Sequence, residues 1–530
     1  YRTTPSTIGI KSGKYYWEYS VLYFDGGSTD YHVGICLDNF TDFRDTWVLS
    51  TNYGWGYTLQ GGLGYAGNSQ KNLGSSPRTT GDIIAFAFDA DVGEFYIYVN
   101  GRIINSGSPA YTGLTNGPYY PFVTTGTSAG KISCNFGQKP FKFPPPDGFQ
   151  PLNLLTTQPE KVIARPDQYV SATLFTGTGD AVSSRTVELP HAADLVWAKS
   201  RDRASSNQLL DTVRGNNLVL QTNSTSNDRN PITQYTGGGL STIDGKTITI
   251  ASGTTNNQNL NVNGDRAVIW SWKAGGSKST FNVDDVGYAS AAAAGLDGGT
   301  ITPTGASVGT KQGFSILMYQ GNGTVGANIS HGLSEAPKLM IHKSIDQSRN
   351  WYTITTVPDG QTRYAYMNTT KAITGSAVAA PTSSLMYFTS SAESNTSGEN
   401  YIVYMWHDVP GLQKFGTYEG NTTQGEFIEL GFRPAIIMLK SFDQTWYWNI
   451  HDSKRSPINP GKGNFLRPDN NTTEGTASAN NNIDFLSNGF RIRSTTAQSE
   501  PTNVNGQTYF YAAWAEAPTV NLYGGHANAR

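Results

Sequence analysis

Short runs in which apolar and polar residues alternate recur along the chain, separated by Gly, Asn, Asp and Ser. Alternation with period two marks a strand with one buried face, and those breakers supply tight turns. SGKYYWEYSV (12–21) puts Tyr15, Trp17 and Tyr19 on one face, and HVGICL (32–37) reads as the next strand. GDIIAFAFDADVGEFYIYVNGR (81–102) reads as a hairpin, turning at 89–93 and again at Asn100-Gly101. YYPFV (119–123) and KISCNFGQKPF (131–141) add strands. FPPPDGFQP (143–151) ends the pattern, because consecutive prolines cannot join a ladder and form a stiff spacer. These runs delimit a first unit over 1–149, followed by a linker over 150–168.

Beyond the linker one pattern is written three times: GTGDAVSSRTVELPHAADLVWAKSRD (177–202), GNGTVGANISHGLSEAPKLMIHKSID (321–346) and GNTTQGEFIELGFRPAIIMLKSFD (420–443). The spans Gly177 to Lys199 and Gly321 to Lys343 are equal, and Gly420 to Lys440 is two residues shorter. Apolar and aromatic residues precede each opening Gly: Leu174-Phe175, Leu317-Met318-Tyr319, and Phe415 with Tyr418. Each copy closes on a β-rich run with a tryptophan: Trp272, Trp406 and Trp514. A period of roughly 100 residues is too long for a solenoid, whose units run about 20–50. The expectation is one domain copied three times, each copy burying its own core. The boundaries are 169–275 (repeat A), 276–312 (an extended connector packed along its neighbours), 313–410 (repeat B) and 411–530 (repeat C with a C-terminal tail). The three tryptophans are expected at equivalent places in three superposable sandwich or jelly-roll domains. The fold class is all-β.

Charge narrows the partners. Only 15% of the 530 residues are charged and the net charge is −2. Without a basic stripe to neutralise phosphates, no nucleic-acid partner is expected. No apolar run is long enough for a membrane-spanning helix, so no membrane partner is expected either. No signal peptide is read, and the opening on Tyr1 in mid-pattern leads us to expect a preceding segment. Cys36 and Cys134 are the only cysteines and lie in strand-like contexts, so two free buried thiols are expected rather than a disulfide. The 59 glycines and 12% aromatic content suit short strands joined by tight turns, and equally suit polar surfaces studded with rings.

Gly13-Lys14-Tyr15-Tyr16-Trp17-Glu18, Val33-Gly34-Ile35, Gly81-Asp82-Ile83, Tyr120-Pro121-Phe122-Val123 and Asn135-Phe136-Gly137, with the 81–102 hairpin among them, resemble a SPRY domain over nearly all of 1–143. The resemblance implies a two-sheet antiparallel, concanavalin-like β-sandwich that binds ligands through loops at one end. It also places Trp17, Phe86, Phe88 and Phe136 between the sheets. DLVWAKSRD (194–202), LLDTVRG (209–215), DFLSNGFRIR (484–493) and YAAWAEAP (511–518) resemble a domain of unknown function common in structural proteins of tailed, notably marine, phages. That resemblance covers 169–530 and implies a virion component on the particle surface, most often of a tail fibre or another appendage.

Candidate chemistry is sparse. TNYGWGYTLQGGLGYAGN (51–68) sets Tyr53, Trp55, Tyr57 and Tyr65 among glycines, either as an aromatic loop offered to a ligand or as rings folded onto their own sheet. Asp211 with Arg214, and Asp452 with Arg455, recur at one place in repeats A and C. Repeat B has Asp359 and Arg363 at a different spacing. A recurring acid–base pair reads better as a structural latch than as a site. Lys199, Lys343 and Lys440 recur without a shared His or Cys, which argues against catalysis. Glycoside hydrolysis needs two carboxylates flanking a cleft, and Glu188, Glu429 and Glu516 are isolated along the sequence. No G-x-S-x-G occurs, the histidines lack metal-ligand spacing, and Asp89, Asp91 and Glu94 read as turn residues more than as a calcium site. No catalytic residue, metal or cofactor is expected. The sequence points to a non-enzymatic, lectin-like virion appendage protein that adheres to a host-surface glycan or protein and contacts other virion proteins. Closed homo-oligomers, a trimer foremost, are expected, with no heptad run to drive them. The rival readings are a purely architectural subunit and, further off, a surface-polysaccharide depolymerase.

Overall fold

The computed structural model describes residues 2–6, 8–24, 31–37, 47–59, 63–66, 69–74, 79–125, 130–152, 163–179, 184–228, 238–252, 260–422, 426–459, 464–475, 482–493 and 502–518. Regular structure among them is all β, apart from two single-turn 3₁₀ segments. No helix among them is long and apolar enough to cross a membrane. The chain divides into two compact units: residues 1–159 with 424–429, and 160–423 with 430–530.

The first unit holds two antiparallel sheets. One runs Arg2–Pro5, Tyr119–Thr125, His32–Leu37, Gly54–Thr58, Leu63–Ala66, Ser69–Asn72. The other runs Lys131–Asn135, Lys14–Tyr23, Ile83–Asp89, Glu94–Val99, Arg102–Ile103, with Gln150–Pro151 lying parallel to the start of Lys14–Tyr23. Asn100 (φ 49°) and Gly101 (φ 77°) make the tight turn, where left-handed backbone at both positions matches the twist of the strands. Trp17 lies opposite Phe86 in register, and both are fully buried with Phe88 and Phe95. Phe86 and Phe95 stack at 5.1 Å. Phe136 corrects the expectation: it is half-buried, because its strand ends at Asn135, and it meets Tyr19 edge-on at the margin of the core. The proline stop is tied down by an acid that the alternation left unexplained. Buried Glu18 accepts the backbone N–H groups of Lys142 (2.8 Å) and Phe143 (2.9 Å). Cys36 and Cys134 are not joined in a disulfide. Cys36 is buried and Cys134 only half-buried, where burial still lifts its pKa to about 11.

The three repeats share one strand order. In repeat A the large sheet runs Val170–Thr176, Arg266–Trp272, Leu195–Ser200, Gln208–Asp211, Leu220–Gln221. In repeat B it runs Phe314–Gln320, Asn400–Trp406, Leu339–Ser344, Tyr352–Thr355, Arg363–Tyr366. In repeat C it runs Gln413–Glu419, Thr508–Pro518, Phe432–Ser441, Asn449–Asp452, Phe465–Leu466. Register makes the tryptophans equivalent: Trp272 faces Val170 and Leu195, Trp406 faces Phe314 and Leu339, and Trp514 faces Gln413 and Ile436.

Two expectations need correction. The repeats do not keep wholly separate cores. Val196 and Ala198 point into a core of repeat A alone, whereas Leu195 and Trp197, one residue out of phase, enter a core common to all three copies. Repeat B divides the same way, Met340 inward and Leu339 and Ile341 into the common core. Strands covered on both faces read as unbroken apolar runs, which is why LVWAKS and LMIHKS are buried at every position. Trp272, Trp406 and Trp514 meet edge-to-face at the centre, with ring centroids 5.4–6.3 Å apart. The second correction concerns 276–312. It is not an extended arm laid along its neighbours: Phe281–Val283 and Val286–Tyr288 form a hairpin, Phe281–Val283 pairs in parallel with Gly305–Gly309, and these strands widen the sheet of repeat B. The alanine run there is a turn whose Ala291 enters repeat B's own core.

Candidate functional site

Most of the aromatic stretch of the first unit lies in two inner strands of its sheet, not in a loop. Trp55 and Tyr57 sit in the strand Gly54–Thr58, and Tyr65 sits in Leu63–Ala66, its backbone opposite Gly56. The strand needs its glycines. A Cβ on Gly34 would lie 2.2 Å from the Trp55 carbonyl, and one on Gly56 would lie 2.4 Å from that of Val33. The side chain of Tyr65 lies outside the described residues. The other three rings differ in fate. Tyr53, in the turn ahead of the strand, is exposed (38%). Trp55 is half-buried and edge-on to Tyr119 at 5.6 Å. Tyr57 is buried in the core. Trp55 and Tyr57, two residues apart, share the core-facing side of the strand, while Tyr53 lies ahead of it in the turn. The acids weighed for calcium are engaged elsewhere: Asp89 pairs with Lys14 (2.7 Å), Asp91 accepts from the Gly13 N–H (2.7 Å), and Glu94 accepts from the Tyr96 hydroxyl (2.6 Å). No group of three or more His, Cys, Asp or Glu side chains placed for a metal occurs among the described residues.

In the second unit the recurring chemistry lies at joints between repeats. Asp452 and Arg455 pair at 2.5 Å with both side chains wholly buried, and Asp452 also accepts the indole N–H of Trp270 from repeat A (2.9 Å). Asp211 and Arg214 pair at 2.6 Å, again wholly buried, and Asp211 accepts the hydroxyl of Tyr404 from repeat B (2.7 Å). Trp270 and Tyr404 stand two residues before Trp272 and Trp406, so one address on one strand supplies the donor both times. At the third joint that address is Ala512, and the pair Asp359–Arg363 is exposed and closes on itself.

The lysines belong to the same joints. Lys199 donates to the carbonyls of Ser205 (2.7 Å) and Arg203 in its own repeat and of Asn471 in repeat C. Lys343 donates to Arg349 and, in repeat A, to Thr225, both at 2.9 Å. Lys440 donates to Trp446 and, in repeat B, to Thr370 (2.9 Å). Eight residues after each lysine (199 to 207, 343 to 351, 440 to 448) comes a second donor that sequence reasoning missed. Asn207 reaches the carbonyls of Arg467 and Asn470 in repeat C, Trp351 that of Gln221 in repeat A, and Trp448 that of Tyr366 in repeat B. The signal was available as an amide or indole N–H at a constant offset from the lysine. A hands to C, B to A and C to B, so the repeats close a ring about a pseudo-threefold axis.

Burial lowers the pKa of Lys199 to about 7 and of Lys343 and Lys440 to about 8, against 10.5 in the open chain. The sign follows from proton counting. Between the folded and unfolded values the unfolded chain holds more protons, so this contribution to stability rises with pH. We predict that wild type gains on a Lys343→Met variant by about 1.4 kcal/mol per pH unit between pH 8 and 10 in urea unfolding. A flat difference curve would show that the lysine stays charged among its carbonyls throughout.

Comparison with known proteins comes to the same two units. The SPRY domain model matches residues 14–139. The ATP-dependent RNA helicase DDX1 of Xenopus laevis is 28% identical over 213 residues, which is 39% of this chain and 25% of the helicase. The E3 ubiquitin-protein ligase RKP of Arabidopsis thaliana is 34% identical over 108 residues, 18% of this chain and 8% of the ligase. The chain therefore spans a quarter or less of these relatives. Among solved structures, the SPRY domain of human HERC1 is 23% identical with a TM-score of 0.23, covering 26% of this chain and 84% of that one. A second human SPRY domain is 17% identical with a TM-score of 0.20, covering 26% and 85%. A family model described as a domain of unknown function, DUF7483, matches residues 165–518. The chain carries a SPRY domain at its N-terminus and, through the three-repeat unit that follows, belongs to the DUF7483 family.

Proposed function

We infer that this is a non-enzymatic adhesion protein: the SPRY domain engages a host-surface glycan or protein, and the three-repeat unit is its rigid mount. The observation that carries the reading is the use of the recurring charged groups. Lys199, Lys343, Lys440 and the buried Asp–Arg pairs have the burial of catalytic groups, yet each hydrogen-bonds across or along a joint. Groups held this way stiffen a scaffold. Placement in a tailed-phage appendage, on the particle surface and as a closed homo-oligomer with a trimer favoured, rests on the resemblance of 194–215, 484–493 and 511–518 to phage structural proteins.

On the SPRY side, exposed Tyr53 and half-buried Trp55 are the rings placed to meet a ligand, since Tyr and Trp offer a large apolar area with a polar handle. The test is binding of the full chain to an array of bacterial surface polysaccharides and to whole cells. A Tyr53→Ala, Trp55→Ala double variant is expected to fold and to lose at least about tenfold in attachment. Unchanged attachment by the folded variant removes these two rings from the binding face. Absence of any attachment by the wild-type chain turns the reading to a purely architectural subunit, which the closed ring of joints also suits.

A further inference from the structure

The three-repeat unit contains a cleft of about 390 Å³ that takes no part in the joints described above. That volume falls at the lower end of the range for small-molecule sites. Its walls come from four places in the chain. Tyr169 follows the single helical turn Pro166–Gln168, Lys311 sits in the turn ahead of Phe314–Gln320, Ser334 and Glu335 precede Leu339–Ser344, and His407 and Asp408 follow Asn400–Trp406. The site is held in place. The backbone carbonyl of Tyr169 accepts the Lys273 N–H (2.8 Å), and the Ile163 N–H reaches the Pro410 carbonyl (3.1 Å).

The polar groups are ordered by one buried ring. His407 is 3% exposed. Its Nδ1 lies 2.7 Å from the Asp408 carbonyl, so that nitrogen carries the hydrogen and Nε2 is the acceptor. Nε2 lies 3.3 Å from the Ser334 Oγ, so the serine hydrogen points at the histidine and its lone pairs are left for a ligand donor. Asp408 uses one carboxylate oxygen to accept the Phe415 N–H (2.8 Å), and the other remains as an acceptor. Lys311 and Glu335 stand exposed at the rim with opposite charges. The cleft thus combines one half-buried aromatic ring, an apolar wall of Ile163 and Val409, fixed acceptors and one exposed cation. A carboxylate and a serine oxygen suit hydroxyl donors, a lysine suits a ring or carbonyl oxygen, and a tyrosine suits a flat C–H face.

We propose that this cleft is a saccharide subsite, taking one or two pyranose rings of a surface polysaccharide by stacking on Tyr169 and hydrogen bonding to Asp408, Ser334 and Lys311. It extends the adhesion reading to a second site and does not depend on Tyr53 or Trp55. The test is saturation-transfer NMR on the full chain with glucose, galactose and N-acetylglucosamine as separate probes, followed by the polysaccharide array. Transfer to the ring protons of at least one sugar is expected. Tyr169→Ala is expected to cut affinity about tenfold or more, Lys311→Ala to cut it less, and Tyr169→Phe to bind as wild type. The Tyr53→Ala, Trp55→Ala variant is expected to keep the signal. Lys311 is exposed, so its variant remains informative if Tyr169→Ala does not fold. No transfer from any of the three sugars, or equal transfer by wild type, Tyr169→Ala and Lys311→Ala, overturns the proposal. Loss of the signal in the Tyr53 and Trp55 variant alone overturns it too, while leaving the SPRY reading intact.

Discussion

Asp452→Ala is expected to destabilise the three-repeat unit by about 3–5 kcal/mol. Asp452 is wholly buried and answers three groups at once: the Arg455 guanidinium at 2.5 Å, the Arg455 backbone N–H at 2.8 Å and the Trp270 indole N–H at 2.9 Å. Its removal leaves a guanidinium inside the protein facing Glu474, the Ile450 carbonyl and the Trp270 ring, and an indole N–H with no acceptor. Stranding a buried charge costs far more than the pair itself contributes, because the charge cannot regain water without opening the joint. The molecule supplies its own control. Asp359 and Arg363 also pair at 2.5 Å, but in solvent, where screening and side-chain entropy cancel most of the attraction. Asp359→Ala is expected to leave the urea midpoint where it is. If the two variants unfold at the same urea concentration, the buried pair is not what closes the joint between repeats A and C.

Trp406→Ala is expected to cost a similar amount, about 3–5 kcal/mol, and to do so for all three repeats together. The ring stacks on Phe314 at 4.5 Å and meets Trp272 and Trp514 edge-on, next to an apolar cavity of about 20 Å³. Truncation joins the lost volume to that cavity, and rigid sheets on three sides cannot collapse to fill it. Because the core is common, calorimetry of the variant should show one transition for residues 160–530, shifted as a whole. A second transition kept at the wild-type temperature would mean that at least one repeat folds on its own core.

Local patterns were legible wherever one strand determines its own fate. Alternation located Lys14–Tyr23, His32–Leu37, Ile83–Asp89, Glu94–Val99, Tyr119–Thr125 and Lys131–Asn135 in the first unit, and Asn100-Gly101 carried its turn on its face, since few other pairs accept left-handed backbone at both positions. The closing tryptophans marked equivalent places because register within a repeat is fixed by the strand itself. What escaped was contact between copies. Lys199, Lys343 and Lys440 look like strand-end surface lysines, and nothing along the strand reveals that a carbonyl from another repeat waits there. Trp270 and Tyr404 differ in chemistry, so a search for identical residues passes over them although each donates one hydrogen to one aspartate. Phe136 sits at the margin of the core because the strand that the SPRY-like pattern carries through it stops one residue earlier, at Asn135. In the stretch from Tyr53 to Tyr65, glycine and aromatic residues suggested a loop. Those glycines instead let neighbouring strands approach to distances a Cβ would forbid.

The direction in which the joints hand on has an evolutionary consequence. In an open array, each added copy finds a free end waiting, and such proteins grow and shrink by duplication. Here repeat A ends on C, B on A and C on B, so no free end remains. A fourth copy would find no vacant acceptor and no place beside Trp272, Trp406 and Trp514, and a lost copy would leave one set of buried donors and one set of acceptors stranded. The copy number is locked at three by geometry. Change in such a lineage is confined to substitution within the copies and to exchange of whole partners outside the ring.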